Sequence, residues 1–172
     1  MAESVKLHLG CGAKLLPGFV NVDLANNWSS VQPDLVCDVT GQLPFPTDHA
    51  DEVHAYHVLE HIHRWKAKEC LQEWTRVLKP GGLLVLELPC FDKIVRILAH
   101  GLIDGGTFDP RMTIWGLYGD PQYENDAMMH KWCWRAQELA DVLMEIGMVD
   151  VESLRPQTHQ PARDMRLTGR KP

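Results

Sequence analysis

Long hydrophobic runs are absent from this 172-residue sequence, although 45% of its residues are hydrophobic. No stretch approaches the roughly 20 consecutive apolar residues that a membrane-spanning helix needs. Residues 1–5 carry neither the basic segment nor the apolar segment of a secretory signal. We therefore expect neither a membrane protein nor a secreted one, and we predict a cytoplasmic location.

Paired cysteines are also lacking. The chain has five cysteines, an odd number, and none of them belongs to a Cys-x-x-Cys motif. This spacing disfavours a zinc ribbon, a thioredoxin-like redox motif and a disulfide framework. A reducing compartment suits such cysteines best, in agreement with the predicted cytoplasmic location.

Positive charge is in deficit as well. The 17 lysines and arginines are outnumbered by 23 aspartates and glutamates, and the formal net charge is −6. Binding to duplex nucleic acid needs many cationic contacts with phosphates, so we expect no duplex partner. The length and the ordinary composition predict one domain over residues 1–172.

Short apolar segments alternate with helical patterns along the chain, which predicts an α/β fold with a mostly parallel sheet. Only residues 13–18 separate the first two strands, so the first crossover helix should be truncated. The last strand should lie antiparallel at an edge. The predicted strands are residues 5–9, 19–23, 35–38, 52–56, 83–88, 148–152 and 163–168, and the predicted helices are residues 65–78, 91–100 and 135–146.

A glycine turn follows the first predicted strand, and an aspartate ends each of the next two. Gly10 and Gly12 would let a ligand approach the backbone closely, at the carboxyl ends of the parallel strands. Asp23 and Asp38 would lie at the same edge, where carboxylates can accept hydrogen bonds from a ligand's hydroxyl and amino groups. A dinucleotide fingerprint fits poorly, because Leu15 occupies the third glycine position and the helix is missing.

With these features in place, the sequence resembles small class I S-adenosylmethionine-dependent methyltransferases of the Rossmann-like type. The resemblance lies in LHLGCG at 7–12, NVDL at 21–24, CDVTGQLPFPTDHADEVHAYHVLEHI at 37–62 and RVLKPGGLLVLELP at 76–89. A group of these enzymes associated with glycan modification shares the shortened first crossover. The resemblance implies S-adenosylmethionine as cofactor and S-adenosylhomocysteine as product. It also implies cofactor binding by Gly10, Cys11, Gly12, Asp23, Leu24, Asp38, Val39, Tyr56 and His57.

Four histidines lie within ten residues, at positions 54, 57, 61 and 63. Residues 57–61 match the His-x-x-Glu-His peptidase motif, but His57 ends a predicted strand instead of lying on a helix, which disfavours that interpretation. Some O-methyltransferases of RNA ends and quinone precursors carry Glu-x-x-Glu-His here and bind a metal with a later histidine. Glu60, His61 and His130 resemble that set, while His57 replaces its first glutamate. A divalent metal is therefore possible but not expected, and His57, His61 and His130 are candidate catalytic bases.

Residues 90–134 form a long segment that we predict to be the lid and acceptor region of the domain. Five aromatic residues lie within it, and aromatic faces suit sugars or planar rings. They are Trp115, Tyr118, Tyr123, Trp132 and Trp134.

The predicted activity is methyl transfer to a small-molecule or glycan-like acceptor, at an oxygen. Two alternatives stay open: a metal-assisted O-methyltransferase of the RNA-end or quinone type, and a noncatalytic binding module with the same fold. The basic residues near the carboxyl terminus favour a solvated tail, and the oligomeric state is open.

Overall fold

The computed structural model of the chain describes residues 4–24, 30–100 and 109–172. Seven strands form one sheet in the order β3-β2-β1-β4-β5-β7-β6. Strands β1 to β5 are parallel, while β7 runs antiparallel to both β5 and β6. The strands are β1 Lys6–Leu9, β2 Val20–Asp23, β3 Leu35–Val36, β4 Ala50–Tyr56, β5 Leu78–Pro89, β6 Val149–Leu154 and β7 Asp164–Arg170. This architecture confirms the predicted Rossmann-like α/β class.

Among the described residues, four α-helices accompany the sheet. They are α1 Arg64–Val77, α2 Phe91–His100, α3 Ile114–Tyr118 and α4 Ala136–Glu145. Helix α1 buries Leu71 and Trp74, and α4 buries Leu139 and Leu143, in one core with the apolar side chains of the sheet. Both helices follow the apolar spacing seen in the sequence.

The first crossover is truncated, as predicted. Residues 10–19 form turns without a helix, and β1 pairs in parallel with β2 through Leu7 and Val20. The Asn21 side chain holds this short connection: its Oδ1 accepts from the backbone N–H of Leu16 at 2.8 Å, and its Nδ2 donates to the Leu16 carbonyl at 3.2 Å. One buried amide therefore satisfies backbone groups that a helix would otherwise pair.

Two details differ from the sequence predictions. Residues 79–82, expected only to end a helix, lie within β5 as an irregularity between the pairs Leu78–Ala50 and Leu83–Glu52. Strand β7 is not the edge strand, because β6 pairs with its outer side. The predicted solvated tail is consequently wrong for Arg163 and Arg166, which are largely buried beside carboxylates. Within the described ranges, no helix has the length and apolarity needed to cross a membrane.

Candidate functional site

A cleft of about 580 Å³ opens at the carboxyl ends of β1 and β4. Its walls come from the glycine turn after β1, from the end of β4, from the segment 111–130 and from the segment 158–163. Seven of the predicted site residues line it: Gly10, Cys11, Gly12, Tyr56, His57, His61 and His130. The sheet thus brings the predicted cofactor turn and the predicted catalytic histidines to one place.

Both glycines of the turn adopt left-handed backbone conformations. Gly10 has φ +65°, and a Cβ there would lie 2.3 Å from Cγ2 of Val58. Gly12 has φ +53°, and a Cβ there would meet no heavy atom of the described residues within 4 Å. Gly10 is therefore required by packing, whereas Gly12 leaves space on the cleft side of the turn.

Asp23 lies directly behind the turn at the end of β2. Its Oδ2 accepts a hydrogen bond from the Gly12 N–H at 2.6 Å, and its Oδ1 accepts from the Leu24 N–H at 2.7 Å. These bonds fix the carboxylate beside the glycine turn. The same carboxylate contributes, after burial, to a raised pKa of about 11 for the Cys11 thiol, so this cysteine is not a thiolate nucleophile at neutral pH.

The predicted cofactor-binding residues Leu24, Asp38 and Val39 do not line the cleft. Asp38 Oδ1 accepts from the backbone N–H and the hydroxyl of Thr40, at 2.9 and 2.7 Å, which closes a local turn. The carbonyl of Val39 accepts from the indole N–H of Trp74 at 2.8 Å, and Leu24 is exposed. The backbone N–H of Cys37 donates to the Asp23 carbonyl at 2.8 Å, which keeps this segment beside Asp23. The binding roles of Leu24, Asp38 and Val39 stay predictions.

His57 lies between two buried carboxylates. Its Nδ1 is 3.0 Å from Glu60 Oε1, and its Nε2 is 3.2 Å from Asp164 Oδ2. Burial alone would lower the pKa of His57, but the two carboxylates outweigh it and raise the pKa to about 9. His57 therefore carries a positive charge at neutral pH, in a backbone with φ +56°. An imidazolium with both nitrogens so engaged cannot accept a proton.

His61 and His130 meet edge to face across the cleft, with ring centroids 4.8 Å apart. His61 belongs to a 3₁₀ turn, Leu59–His61, and His130 lies two residues after another 3₁₀ turn, Asp126–Met128. The two segments are joined by hydrogen bonds from the N–H groups of Lys131 and Trp132 to the carbonyl of Glu60, at 2.7 and 3.2 Å. Burial lowers the pKa of His130, which keeps its imidazole neutral.

The aromatic residues of the lid segment divide between cleft, surface and core. Trp115 and Tyr123 line the cleft, as the acceptor prediction requires. Tyr118 and Trp132 are exposed, and Trp134 is completely buried in the core, where its role is packing. The cleft is also bordered by Lys14 and by several lid residues.

The carboxyl-terminal segment contributes site residues that sequence reasoning missed. Thr158 and His159 line the cleft, and Glu87 of β5 anchors them by accepting from the N–H groups of Gln157 and Thr158. Arg163 donates from Nε to Asp164 Oδ1 at 2.6 Å and from Nη1 to the Arg111 carbonyl.

Comparison with known proteins agrees with the fold. Residues 7–86 match the family described as methyltransferase domain. A SAM-dependent methyltransferase of Methanosarcina mazei is 16% identical over 99% of this chain and 94% of its own, with a TM-score of 0.63. A Haloferax volcanii methyltransferase, solved in complex with the activator Trm112, is 17% identical over 99% of this chain and 83% of its own (TM-score 0.61).

A third similar structure is phosphoethanolamine N-methyltransferase 2 of Haemonchus contortus in complex with S-adenosyl-L-methionine. It is 14% identical over 100% of this chain and 50% of its own, with a TM-score of 0.61. No curated protein sequence matches the chain. The family match spans Asp23 and also the glycine turn and the end of β4, and the last two line the cleft. Over residues 7–86 the chain is thus similar to the methyltransferase-domain family, and its fold is similar to that of solved S-adenosylmethionine-dependent methyltransferases.

Proposed function

We propose that the chain methylates a hydroxyl oxygen of a small-molecule or glycan-like acceptor, and that this hydroxyl lies against His61 and His130. The observation that carries the proposal is the meeting of these two imidazoles, 4.8 Å apart, in the same cleft as the glycine turn. A hydroxyl must lose its proton during methylation, and two imidazoles are suited to receive it.

The glycine turn and Asp23 fit the cofactor. The space beside Gly12 admits a ligand next to the backbone, and the carboxylate of Asp23 is held at that turn by the Gly12 N–H. When bound, S-adenosylmethionine supplies an electrophilic methyl group on a positively charged sulfonium. The residues of this chain hold and align the acceptor for an in-line displacement, which is the larger part of such catalysis.

The hydrogen bonds of His61 and His130 define which nitrogen can face the acceptor. Nδ1 of His61 lies 3.2 Å from the carbonyl of Met129, and Nδ1 of His130 lies 3.0 Å from the carbonyl of Gly116. A carbonyl oxygen only accepts, so each Nδ1 carries the proton and donates it. Each Nε2 is then the ring nitrogen that can face the acceptor hydroxyl.

We assign His57 a positioning role instead of a basic one. Both its ring nitrogens face carboxylates, so neither is available to a substrate hydroxyl. It connects the end of β4 to Asp164 at the start of β7 and fixes the Glu60 carboxylate next to His61. Of the three predicted catalytic histidines, we therefore expect His61 or His130 to receive the proton of the acceptor hydroxyl.

The aromatic faces of Trp115 and Tyr123 support a sugar or another ring-containing acceptor. Both line the cleft and belong to the segment 111–130. Aromatic rings stack on the apolar faces of sugars while hydroxyls remain free for polar contacts. Lys14 and Arg111 at the cleft would suit an acceptor that also carries an anionic group.

The test measures S-adenosylhomocysteine release with a panel of glycosides and phenols, with amines and carbon acids as comparison acceptors. We expect turnover with hydroxyl acceptors, and a fall of roughly 10²- to 10⁴-fold in kcat for His61→Ala or His130→Ala. His63→Ala is the matched control, because His63 is exposed two positions from His61. Turnover only with amines or carbon acids would contradict the acceptor proposal. Cofactor binding without turnover on any acceptor would favour the noncatalytic module.

A further inference from the structure

We propose that Lys14, His159 and Arg163 form an anion-binding subsite in the cleft, which takes a carboxylate or phosphate group of the acceptor. All three side chains line the cleft. Lys14 follows the glycine turn, whereas His159 and Arg163 belong to the segment 158–163. The inference rests on the proposed function, because it assumes an acceptor in the cleft, and it narrows the acceptor to anionic molecules.

The cations that line the cleft differ in whether their charge is already matched. Arg111 is paired with Asp109, with Nη2 2.7 Å from Oδ2 and Nε 2.9 Å from Oδ1. Arg163 is paired with Asp164 through the contact given above. The ammonium group of Lys14 forms neither a hydrogen bond nor an ion pair with any residue that the structure describes. Its charge is therefore available to a ligand.

His159 offers a directed N–H donor. Nη2 of Arg163 lies 3.4 Å from Nδ1 of His159. A guanidinium only donates, so Nδ1 accepts and Nε2 carries the proton of the neutral ring. Within the described parts of the chain Nε2 has no hydrogen-bond partner, and the side chain is 45% exposed. An N–H that is held in one tautomer and is open to solvent can donate to an anion.

Arg163 supplies a fixed positive charge beside this ring. The residue is 4% exposed, and its Nε and Nη1 donate to Asp164 Oδ1 and to the Arg111 carbonyl, each at 2.6 Å. These two bonds hold the guanidinium and leave Nη2 directed towards His159. A guanidinium that is already held in place loses little further freedom when an anion binds next to it.

The charges that surround His159 are mainly positive. Burial is the largest cause of the lowered pKa of His159, and three cationic neighbours lower it further: His57, Arg163 and Lys14. Asp164 acts in the opposite sense without restoring the ordinary value. The same positive charges attract an anion to this ring, and a bound anion raises the pKa of His159 again.

Acidic side chains are scarce at the cleft. Among the residues that the structure describes, Asp120 is the one acidic side chain lining it, and both its oxygens accept from Gln122. Lys14, Arg111 and Arg163 line the same cleft, although the net charge of the whole chain is −6. A cleft whose charge is opposite to that of the chain concentrates anionic ligands.

The shared chemistry of the ligand is a compact anionic group, and two molecules can carry it. One is an acceptor such as a uronic acid or a sugar phosphate, and the other is the cofactor, through its α-carboxylate. Arg163 bonds the carbonyl of Arg111, at the start of the segment 111–130 that supplies the aromatic walls of the cleft. Two of the three members therefore adjoin the acceptor side, and we assign the subsite to the acceptor.

The test titrates the full-length protein, saturated with S-adenosylhomocysteine, with inorganic phosphate and with acetate at low ionic strength. The ring signals of His159 are followed by NMR and are assigned with His159→Ala. We expect saturable shifts, a raised pKa of His159 and about 10-fold weaker phosphate binding in Lys14→Ala. Lys14→Arg should retain most of the affinity. Lys66→Ala, which removes an exposed lysine of α1, is the matched control and should bind as the wild type does.

The relative affinities of phosphate and acetate distinguish the two kinds of acceptor anion. The affinity for S-adenosylhomocysteine in Lys14→Ala distinguishes the acceptor from the cofactor, and we expect it to be unchanged. Among acceptors that are methylated, those with a carboxylate or phosphate should have the lower KM, and Lys14→Ala should raise the KM of these acceptors alone.

Four results would overturn the subsite. They are no saturable shift at high millimolar phosphate, wild-type phosphate affinity in Lys14→Ala, displacement of phosphate by S-adenosylhomocysteine, and turnover confined to neutral acceptors. Phosphate binding that depends on Lys14, without methylation of any hydroxyl, would instead refute the proposed function and leave the anion site intact.

Discussion

Substitution of Gly10 by alanine tests whether the close contact with Val58 makes glycine necessary at this position. The added Cβ would lie 2.3 Å from Cγ2 and 3.2 Å from Cγ1 of Val58, both far inside van der Waals contact. The left-handed φ of +65° adds strain for any residue with a side chain. Val58 is buried at the end of β4, so it has little space to retreat.

The expected loss in the free energy of unfolding is the sum of the backbone strain and the cost of overpacking. A left-handed conformation costs a non-glycine residue roughly 1–2 kcal/mol. Overpacking of a filled site costs roughly 1–3 kcal/mol more. We therefore expect Gly10→Ala to lower the free energy of unfolding by about 2–5 kcal/mol, and a domain of this size loses roughly 2–4 °C of Tm for each kcal/mol. Urea denaturation followed by circular dichroism measures the first quantity, and calorimetry measures the second.

Two further variants separate the backbone strain from the steric overlap with Val58. Gly12→Ala carries similar backbone strain but meets open space, so it should cost only the roughly 1–2 kcal/mol of strain. Val58→Ala combined with Gly10→Ala should be less destabilised than the sum of the single variants, by roughly 1–3 kcal/mol. Equal losses for Gly10→Ala and Gly12→Ala, or strict additivity in the double variant, would refute the packing argument.

Three other outcomes are expected. S-adenosylhomocysteine at 100 times its Kd should stabilise the wild type by about 2.7 kcal/mol; Asp23→Ala should remove most of that shift, and an equal shift in the two proteins would contradict cofactor binding by Asp23. Burial lowers the pKa of His54 to about 4 despite the nearby Glu52, so the unfolded state binds a proton that the folded state does not. Stability should fall between pH 6.5 and pH 4 by about 3 kcal/mol, and the fall should be smaller in His54→Gln by urea denaturation at each pH. Trp115→Ala should raise the KM for the acceptor with little change in S-adenosylhomocysteine affinity, whereas Trp132→Ala, an exposed control, should change neither.

The cofactor side of the cleft was predictable because its signals are local in sequence. A strand that runs into Gly10-Cys11-Gly12 and a strand that ends at Asp23 must meet at one sheet edge once the strands are parallel. The positions of the first five strands along the chain and the truncated crossover follow from the same short-range patterns. The structure adds the reason for Gly10, the contact with Val58, which no local pattern reveals.

The remaining walls of the cleft depend on contacts that are distant in sequence. Thr158 reaches the site because its N–H and hydroxyl both donate to Glu87, 71 residues away, at 2.6 Å. The basic residues near the carboxyl terminus were expected in solvent, yet Arg166 donates to the same Glu87 at 3.0 Å from within β7. An arginine in a sequence does not show which carboxylate will pair with it, so its burial could not be predicted.

The truncated crossover also explains why one face of the sheet is polar. A sheet face covered by helices is normally apolar, yet here Glu52, His54 and Tyr56 of β4 share a face with Glu87 of β5. Within this group, His54 Nδ1 lies 2.8 Å from the Tyr56 hydroxyl, and His54 Nε2 lies 2.9 Å from a carboxylate oxygen of Glu52. Phe19 of the short connection covers His54 at a ring distance of 4.8 Å. Loops with polar contacts thus replace the missing helix, and they leave the glycine turn open to the cleft from that side.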